Sequence, residues 1–233
     1  MIKELGVITA DIVSSHKMEP QRRESLYAAM KQFLDQMKKD GWISAVEIYR
    51  GDSFQCIAAK KEYSLRVALL IRCFIKSYHT PAEKKKVNEK IKRGVFFMLS
   101  ARQDIRIAIG IGKAEFYSPK NLAHSDGEAF HLSGRTVDEL KGLQYHLAVK
   151  TMNPKFNDSL EPGILLLDAL FQKLSSGQAE AILYKLKNMK EEEIGEILGV
   201  TQSAVNQRLK SGYWYAVETM VTYFEKILKG QLE

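Results

Sequence analysis

Residues 42 to 59 hold the feature that most limits the fold, a β-hairpin in mid-chain. Trp42 to Tyr49 carries Val46 and Ile48 on one face, Arg50-Gly51-Asp52 has turn chemistry, and Ser53 to Ala59 returns. Ahead of it, Leu5 to Val13 is rich in Val, Ile, Leu and Ala and reads as a buried strand ending near Asp11. Pro20 suits a first helical turn, and Leu26, Met30, Phe33, Leu34 and Met37 recur at three- and four-residue steps, which predicts an amphipathic helix. Beyond the hairpin, a helix is expected from about Glu62 to Tyr78, ending near Pro81. A third, basic helix comes next, running into Val95-Phe96-Phe97-Met98-Leu99. Ile105, Ile107 and Ile109 alternate as in a strand, and Gly110-Ile111-Gly112 lets it bend or approach another backbone closely. A short strand over Lys113 to Tyr117, a helix from Asp126 to Leu140 and a strand within Leu143 to Met152 complete this half. The order predicts an α+β unit, with four to six strands covered by helices on one face.

From residue 153 the character changes. Asn153 to Ser159 and Glu161-Pro162-Gly163 are rich in turn formers and read as a linker; the residues beyond them read as helix alone. Charge changes at the same place. Residues 1–159 hold 27 Lys/Arg against 18 Asp/Glu, a net of +9, whereas residues 160–233 hold 8 against 10, a net of −2. The boundary is therefore expected between a mixed unit over 1–155 and an all-helical unit over 164–233. Basic residues gather at Lys84-Lys85-Lys86, Lys90, Lys92 and Arg93, either a solvated helix face or a field that draws phosphates.

Nearly half of the 233 residues are hydrophobic and about a quarter charged, which suits a folded chain with a sizeable core. Cys56 and Cys73 lie in apolar runs without metal or redox spacing and read as core residues of a reducing compartment. The first apolar run is too short and poorly flanked for a signal peptide, and Val67 to Ile71 is too short to span a bilayer. A cytoplasmic protein with no membrane partner is the expectation.

Two carboxylates stand out. If the hairpin neighbours the first strand, Asp11 and Asp52 reach the same sheet edge, where their repulsion invites a cation. Oxygen ligands of this kind suit Mg²⁺ or Mn²⁺, which would also hold a nucleoside triphosphate. Ser14, Ser15 and the backbone N–H groups after Asp11 are candidate phosphate receivers. The plainer reading of Asp52 is an Asp that satisfies its own turn.

Ala10-Asp11-Ile12-Val13 followed by Tyr49-Arg50-Gly51-Asp52-Ser53-Phe54 resembles the metal-binding pair of class III nucleotidyl cyclases. The resemblance covers residues 1–152 and implies a ferredoxin-like, palm-type sheet whose two aspartates hold metal ions for a triphosphate. It places Arg135 on the family's transition-state arginine, with His131 in place of an asparagine. A purine-reading lysine and aspartate of that family are here Ile48 and His124, and its Gly-Phe is Ser14-Ser15. The Gly-Gly-Asp/Glu-Glu-Phe signature of diguanylate cyclases does not occur. The chain resembles the bacterial SatD-like family more closely, on Asp11-Ile12-Val13-Ser14-Ser15, Gly51-Asp52-Ser53-Phe54-Gln55 and Asp126-Gly127-Glu128-Ala129-Phe130.

In the C-terminal half, Ile194, Ile197 and Leu198 seam a short helix, Gly199 suits a turn, and Thr201 caps a helix with Val205 and Leu209 inward. Gln202, Ser203, Asn206, Gln207, Arg208 and Lys210 are the candidate contacts to double-stranded DNA. Residues 176–211 resemble the helix-turn-helix of sigma-factor region four. Glu191-Glu192-Glu193 would meet phosphates poorly, and such units also pack between proteins. The last helix, Tyr213 to Leu228, alternates aromatic and apolar residues and serves either the core or a homodimer interface.

Three functions stay open. One is a transcriptional regulator coupling a metal- and nucleotide-binding domain to DNA. Another is a metal-dependent nucleotidyl or phosphoryl transferase using Arg135 and His131. The third is a non-catalytic interaction scaffold.

Overall fold

A computed structural model describes residues 4–83, 103–119 and 121–230. The basic cluster at 84–93 and the third helix expected over it lie outside the described residues. β1 (Glu4–Ile12) leads into α1 (Pro20–Lys39), the hairpin β2 (Ile43–Ile48) and β3 (Ser53–Ala58), α2 (Ser64–Ser77) and β4 (Ile105–Lys113). α3 (Glu128–Leu140) and β5 (Leu147–Thr151) come next. The five-stranded sheet has the order β2-β3-β1-β4-β5. The first four strands are antiparallel neighbours, and β5 joins β4 in parallel. A β-α-β-β-α-β chain with the order 4-1-3-2 is the ferredoxin-like arrangement, here extended by one edge strand.

The side-chain alternation of the central strands separates two faces. Ile8, Ala10 and Ile12 of β1 and Ile105, Ile107 and Ile109 of β4 pack with Leu26, Met30 and Leu34 of α1 and with α2. Leu5, Val7 and Ile57 look the other way, against Ala129 and Phe130 of α3, and Ala108 packs there on Val137 and Leu140. Helices therefore cover both faces, not one. What admits α3 is the small side of β4, Ala108-x-Gly110-x-Gly112. A Cβ on Gly110 would lie 2.2 Å from the carbonyl oxygen of Ala129 and 2.6 Å from the amide nitrogen of Ser133. β4 runs straight through this glycine segment to Lys113. Beyond it, only Phe116 pairs, in a bridge with Asp126, where a further strand was expected.

The expected linker is instead a helix. α4 spans Pro154–Lys173, with Asn153 capping through the amide of Phe156, Pro154 in the first turn, and Pro162 inside. Its buried residues Leu160, Ile164, Leu167 and Phe171 carry a helical period that overrides the turn composition. α5 (Ser176–Leu186), α6 (Glu191–Leu198), α7 (Gln202–Ser211) and α8 (Trp214–Leu228) complete the chain. α5 starts at a capping box between Ser175 and Gln178.

Sheet and helical half share one core. Ile8, Phe54, Leu69, Phe171, Ile182, Ile194, Val217 and Phe224 belong to a single cluster of buried side chains. α2 lies at its centre and is buried on nearly every side, from Leu65 to Lys76. A helix enclosed all round must satisfy any charge it carries. Arg72, fully buried, donates from Nε and Nη2 to the two oxygens of Asp104 at 2.9 Å each, and from Nη1 to Asp168 of α4 at 2.6 Å. Lys76 lies 3.5 Å from Asp104, and the backbone N–H of His146 and the amide of Gln172 donate to Asp168. Burial pulls the Lys76 ammonium below its ordinary range, against the attraction of Asp104. Arg66 donates to Glu225 of α8 at 2.6 Å, a second tie between α2 and the helical half.

Candidate functional site

The carboxylates come together because β3 pairs with β1 over the hairpin turn. Asp11 stands opposite Ser53, and the N–H of Ile12 donates to the backbone carbonyl of Asp52 at 3.0 Å. Asp52 follows Gly51, which sits at φ 78°, and a Cβ on Gly51 would meet the Tyr27 ring at 2.8 Å. The Ser15 hydroxyl donates to Asp52 at 2.6 Å. Asp11 lies on the α3 face, directly across the ladder from Arg106, whose Nη1 is 3.4 Å from its Oδ2. Lys141, which caps the C-terminal end of α3, acts on both Asp11 and Arg106 through its charge.

Burial, and next the negative charge of Asp52, push the Asp11 carboxyl above its ordinary value; Lys141 and Arg106 pull the other way. Burial also raises the Tyr27 phenol, and the two aspartates add to that rise. The folded protein thus holds the Asp11 proton more tightly than the unfolded chain does, and ionising Asp11 costs stability. That cost is absent at pH 3, below both values, and grows as the pH rises through the folded value. Asp11→Asn is expected to raise the metal-free melting temperature at pH 7. At pH 3 the gain should vanish, and a thermal melt at the two pH values checks it.

Among the described residues, no group of three or more His, Cys, Asp or Glu side chains is placed to hold a metal ion. The pair itself fits a hard cation on chemical grounds. Two carboxylates, one of them disfavoured in its charged form by burial and by the other, are oxygen donors that Mg²⁺ or Mn²⁺ would neutralise.

The other expected site residues lie in different settings. Ser14 is in the left-handed region at φ 52°, opening the turn Ser15–Lys17, while the Ser15 hydroxyl is engaged with Asp52. His131 is exposed and pairs with Asp126 at 2.8 Å; Arg135, one turn on, is also exposed. Both stand on the outer side of α3, whose inner side presents Ser133, Thr136, Val137 and Leu140. Neither is bonded to Asp11 or Asp52. Sequence reasoning missed Tyr27, Arg106 and Lys141. The signal for Arg106 was in the strand alternation, which puts it on the face opposite Ile105 and Ile107.

In the C-terminal half, α6 and α7 meet at the Gly199 turn, and the Thr201 hydroxyl accepts from the amide of Ala204 at 3.2 Å. Val205 and Leu209 are buried, and Gln202, Ser203, Gln207 and Lys210 are exposed. Asn206 donates to Glu191 at 3.2 Å, and Arg208 lies 3.8 Å from Glu180, so these two are engaged within the chain. On α8, Val217, Val221 and Phe224 complete the core, while Tyr215 and Tyr223, and Tyr213 just before the helix, are exposed.

Residues 164–213 match the family model described as Sigma-70, region 4. No curated protein matches the sequence. Similar solved structures include the adenylyl cyclase CyaB from P. aeruginosa, at 12% identity over 60% of this chain and 73% of that one, TM-score 0.37. A bacterial light-regulated adenylyl cyclase is similar at 15% identity over 64% of this chain, TM-score 0.41, and the match spans 43% of that longer chain. The catalytic core of a rhodopsin-guanylyl cyclase with converted specificity aligns at 15% identity over 59% and 72% of the two chains, TM-score 0.38. Among the described residues no helix is long and apolar enough to cross a membrane.

Proposed function

We propose that this chain is a regulator in which a cation-dependent nucleotide site on the sheet governs DNA binding by the helix-turn-helix. The observation that carries the reading is a short physical connection. Arg106, opposite Asp11, lies two residues beyond Asp104, and Asp104 and Asp168 grip the same buried arginine. Asp168 belongs to α4, whose C-terminal half lies within residues 164–213 that match Sigma-70, region 4. In this reading Asp11 and Asp52 hold Mg²⁺ or Mn²⁺, which supplies the positive charge that fixes a triphosphate. Ser15 keeps Asp52 oriented, and Ser14 borders the phosphates. Gln202, Ser203, Gln207 and Lys210 face the duplex, and Asn206 and Arg208 join them on release from Glu191 and Glu180. The exposed tyrosines of α8 pair two copies, which suits two half-sites. Arg135 and His131 are exposed on the outer side of α3 and bond to neither aspartate within one chain.

The test is duplex binding across genomic fragments with and without Mn²⁺ and each nucleoside triphosphate. Salt-sensitive binding is expected, changed at least severalfold by metal plus nucleotide. Asp52→Ala should abolish that response, and Gln207→Ala should weaken binding by about 1–3 kcal/mol on the preferred fragment only. Binding indifferent to Asp52 and nucleotide would remove the coupling, and no duplex binding would remove the DNA role. Metal-dependent turnover of a triphosphate, abolished by Asp11→Ala, would favour the transferase instead.

A further inference from the structure

β5 is an edge strand, and its outer side is only partly covered. The Ile107 N–H donates to the His146 carbonyl, which sets the parallel register and turns the N–H and C=O of Ala148 toward β4. Those of Leu147 and Val149 therefore point outward. Side chains of α4 close the two ends of this edge. Asp168 accepts from the His146 N–H at 3.1 Å, and Asn157 from the Thr151 N–H at 2.9 Å. Between them Leu147 and Val149 are buried, and among the described residues no group bonds to their outward backbone. Buried N–H and C=O groups are paired as a rule, so a partner belongs along this stretch.

A cavity of about 70 Å³ lies along the same stretch, between α3 and α4. Leu140, Leu147, Val149 and Ile164 give it an apolar lining, and all four are buried. Glu139 of α3, Lys150 of β5 and Glu161 of α4 line it too, and no ion pair or hydrogen bond within the described residues engages their side chains. Both glutamates are exposed and Lys150 is half-buried, which puts the three charges at the mouth. An apolar cavity of about 150 Å³ holds benzene, so this one takes roughly three or four carbon atoms.

We infer that this cavity binds a free α-amino acid with a branched aliphatic side chain, of the size of valine or leucine. The side chain fills the apolar part. The carboxylate accepts from Lys150 and from an outward N–H of β5, and the ammonium donates to an outward carbonyl and to the glutamates. Each charge of the zwitterion thus meets its opposite, and the bare strand edge gains its partner. The site is separate from Asp11 and Asp52 and does not depend on their reading. Its wall includes Ile164 and Leu165, within the residues that match Sigma-70, region 4, so the ligand would bridge the sheet and the helical half.

The experiment is calorimetric titration of the full chain near pH 7 with L-valine and L-leucine. The comparison probes are 3-methylbutanoate and isobutylamine, which are valine without its ammonium and without its carboxylate, together with glycine and N-acetyl-leucine amide. Valine or leucine should bind about tenfold or more tighter than any of these, since each probe lacks a charged hydrogen bond or the apolar group. Lys150→Met should weaken valine about tenfold and leave isobutylamine unchanged, because only the carboxylate uses Lys150. Leu165→Trp, which fills the cavity, should abolish binding while the ligand-free protein still melts cooperatively. If Leu165→Trp does not fold, Lys150→Met at the mouth decides the question. No binding of valine or leucine at millimolar concentration would overturn the inference, as would glycine binding equally well. If N-acetyl-leucine amide binds as tightly as leucine, the edge takes a peptide and the amino-acid assignment is wrong. Binding that Lys150→Met leaves unchanged places the ligand elsewhere, and the inference fails.

Discussion

Replacing Arg72 by methionine should cost about 3–5 kcal/mol in urea unfolding at pH 7, the penalty for removing one partner of a buried charge cluster. The carboxylates would stay behind with Lys76, His146, Gln172 and the N–H of Ile105 as partners. Burial opposes the charge on Arg72, and the pull of Asp104 and Asp168 outweighs it. Asp104 shows the other side of the balance. Burial alone would raise its carboxyl, but Arg72, the hydrogen bond from His146 and Lys76 hold it well below the usual carboxylate range. A depressed value means that this stabilisation is complete above the unfolded-state pKa, near 4, and is lost as the pH falls toward the folded value. The gap between wild type and Arg72→Met should therefore be widest at pH 7 and narrow below about pH 4. Adding Asp168→Leu to Arg72→Met should recover part of the loss, because one stranded charge is then gone. If Arg72→Met matches wild type at pH 7, the cluster contributes no net stability.

Gly110→Ala should be comparably severe, about 3 kcal/mol or a failure to fold, because the two nearest atoms the new methyl meets are backbone and cannot turn aside. The helix would have to lift from the sheet, parting Thr9 from Ser133, whose hydroxyls are 2.9 Å apart. Lys141, at the end of the same helix, would shift relative to Asp11. Gly134→Ala provides the contrast. No atom lies within 4 Å of a Cβ there, so the change should be neutral or stabilising by up to about 1 kcal/mol through helix propensity. Thermal melts of both variants would separate close packing from propensity.

The parts of this fold that could be read from sequence were those written in local chemistry. The β-branched run at Leu5, the alternating isoleucines at 105–109 and the Gly-Asp turn place β1, β4 and the hairpin, and the pairing of the hairpin with β1 then brings Asp11 to Asp52. Pro162 and Gly163 misled, because turn composition was weighed above the Leu160, Ile164, Leu167, Phe171 period beneath it. Proline removes one donor from a helix but does not cancel an apolar face that the core requires. The second covered face was legible in the small residues Ala108, Gly110 and Gly112, where the glycines suit either a bend or a close backbone approach and the fold uses the approach. What no local signal carried were contacts across long separations. Arg72 with Asp168, Asn206 with Glu191 and Ser15 with Asp52 depend on tertiary placement, and Arg72 sits in an apolar run that says only that its helix is buried.

The enclosure of α2 also has a consequence during synthesis. The residues that close over it come late: Asp168 follows Arg72 by 96 positions, and Glu225 follows Arg66 by 159. At about 5–20 residues per second, the nascent sheet waits roughly 5–30 seconds with one side of an apolar helix uncovered. Through that interval a ribosome-bound chaperone would find on α2 a surface that the finished protein never shows.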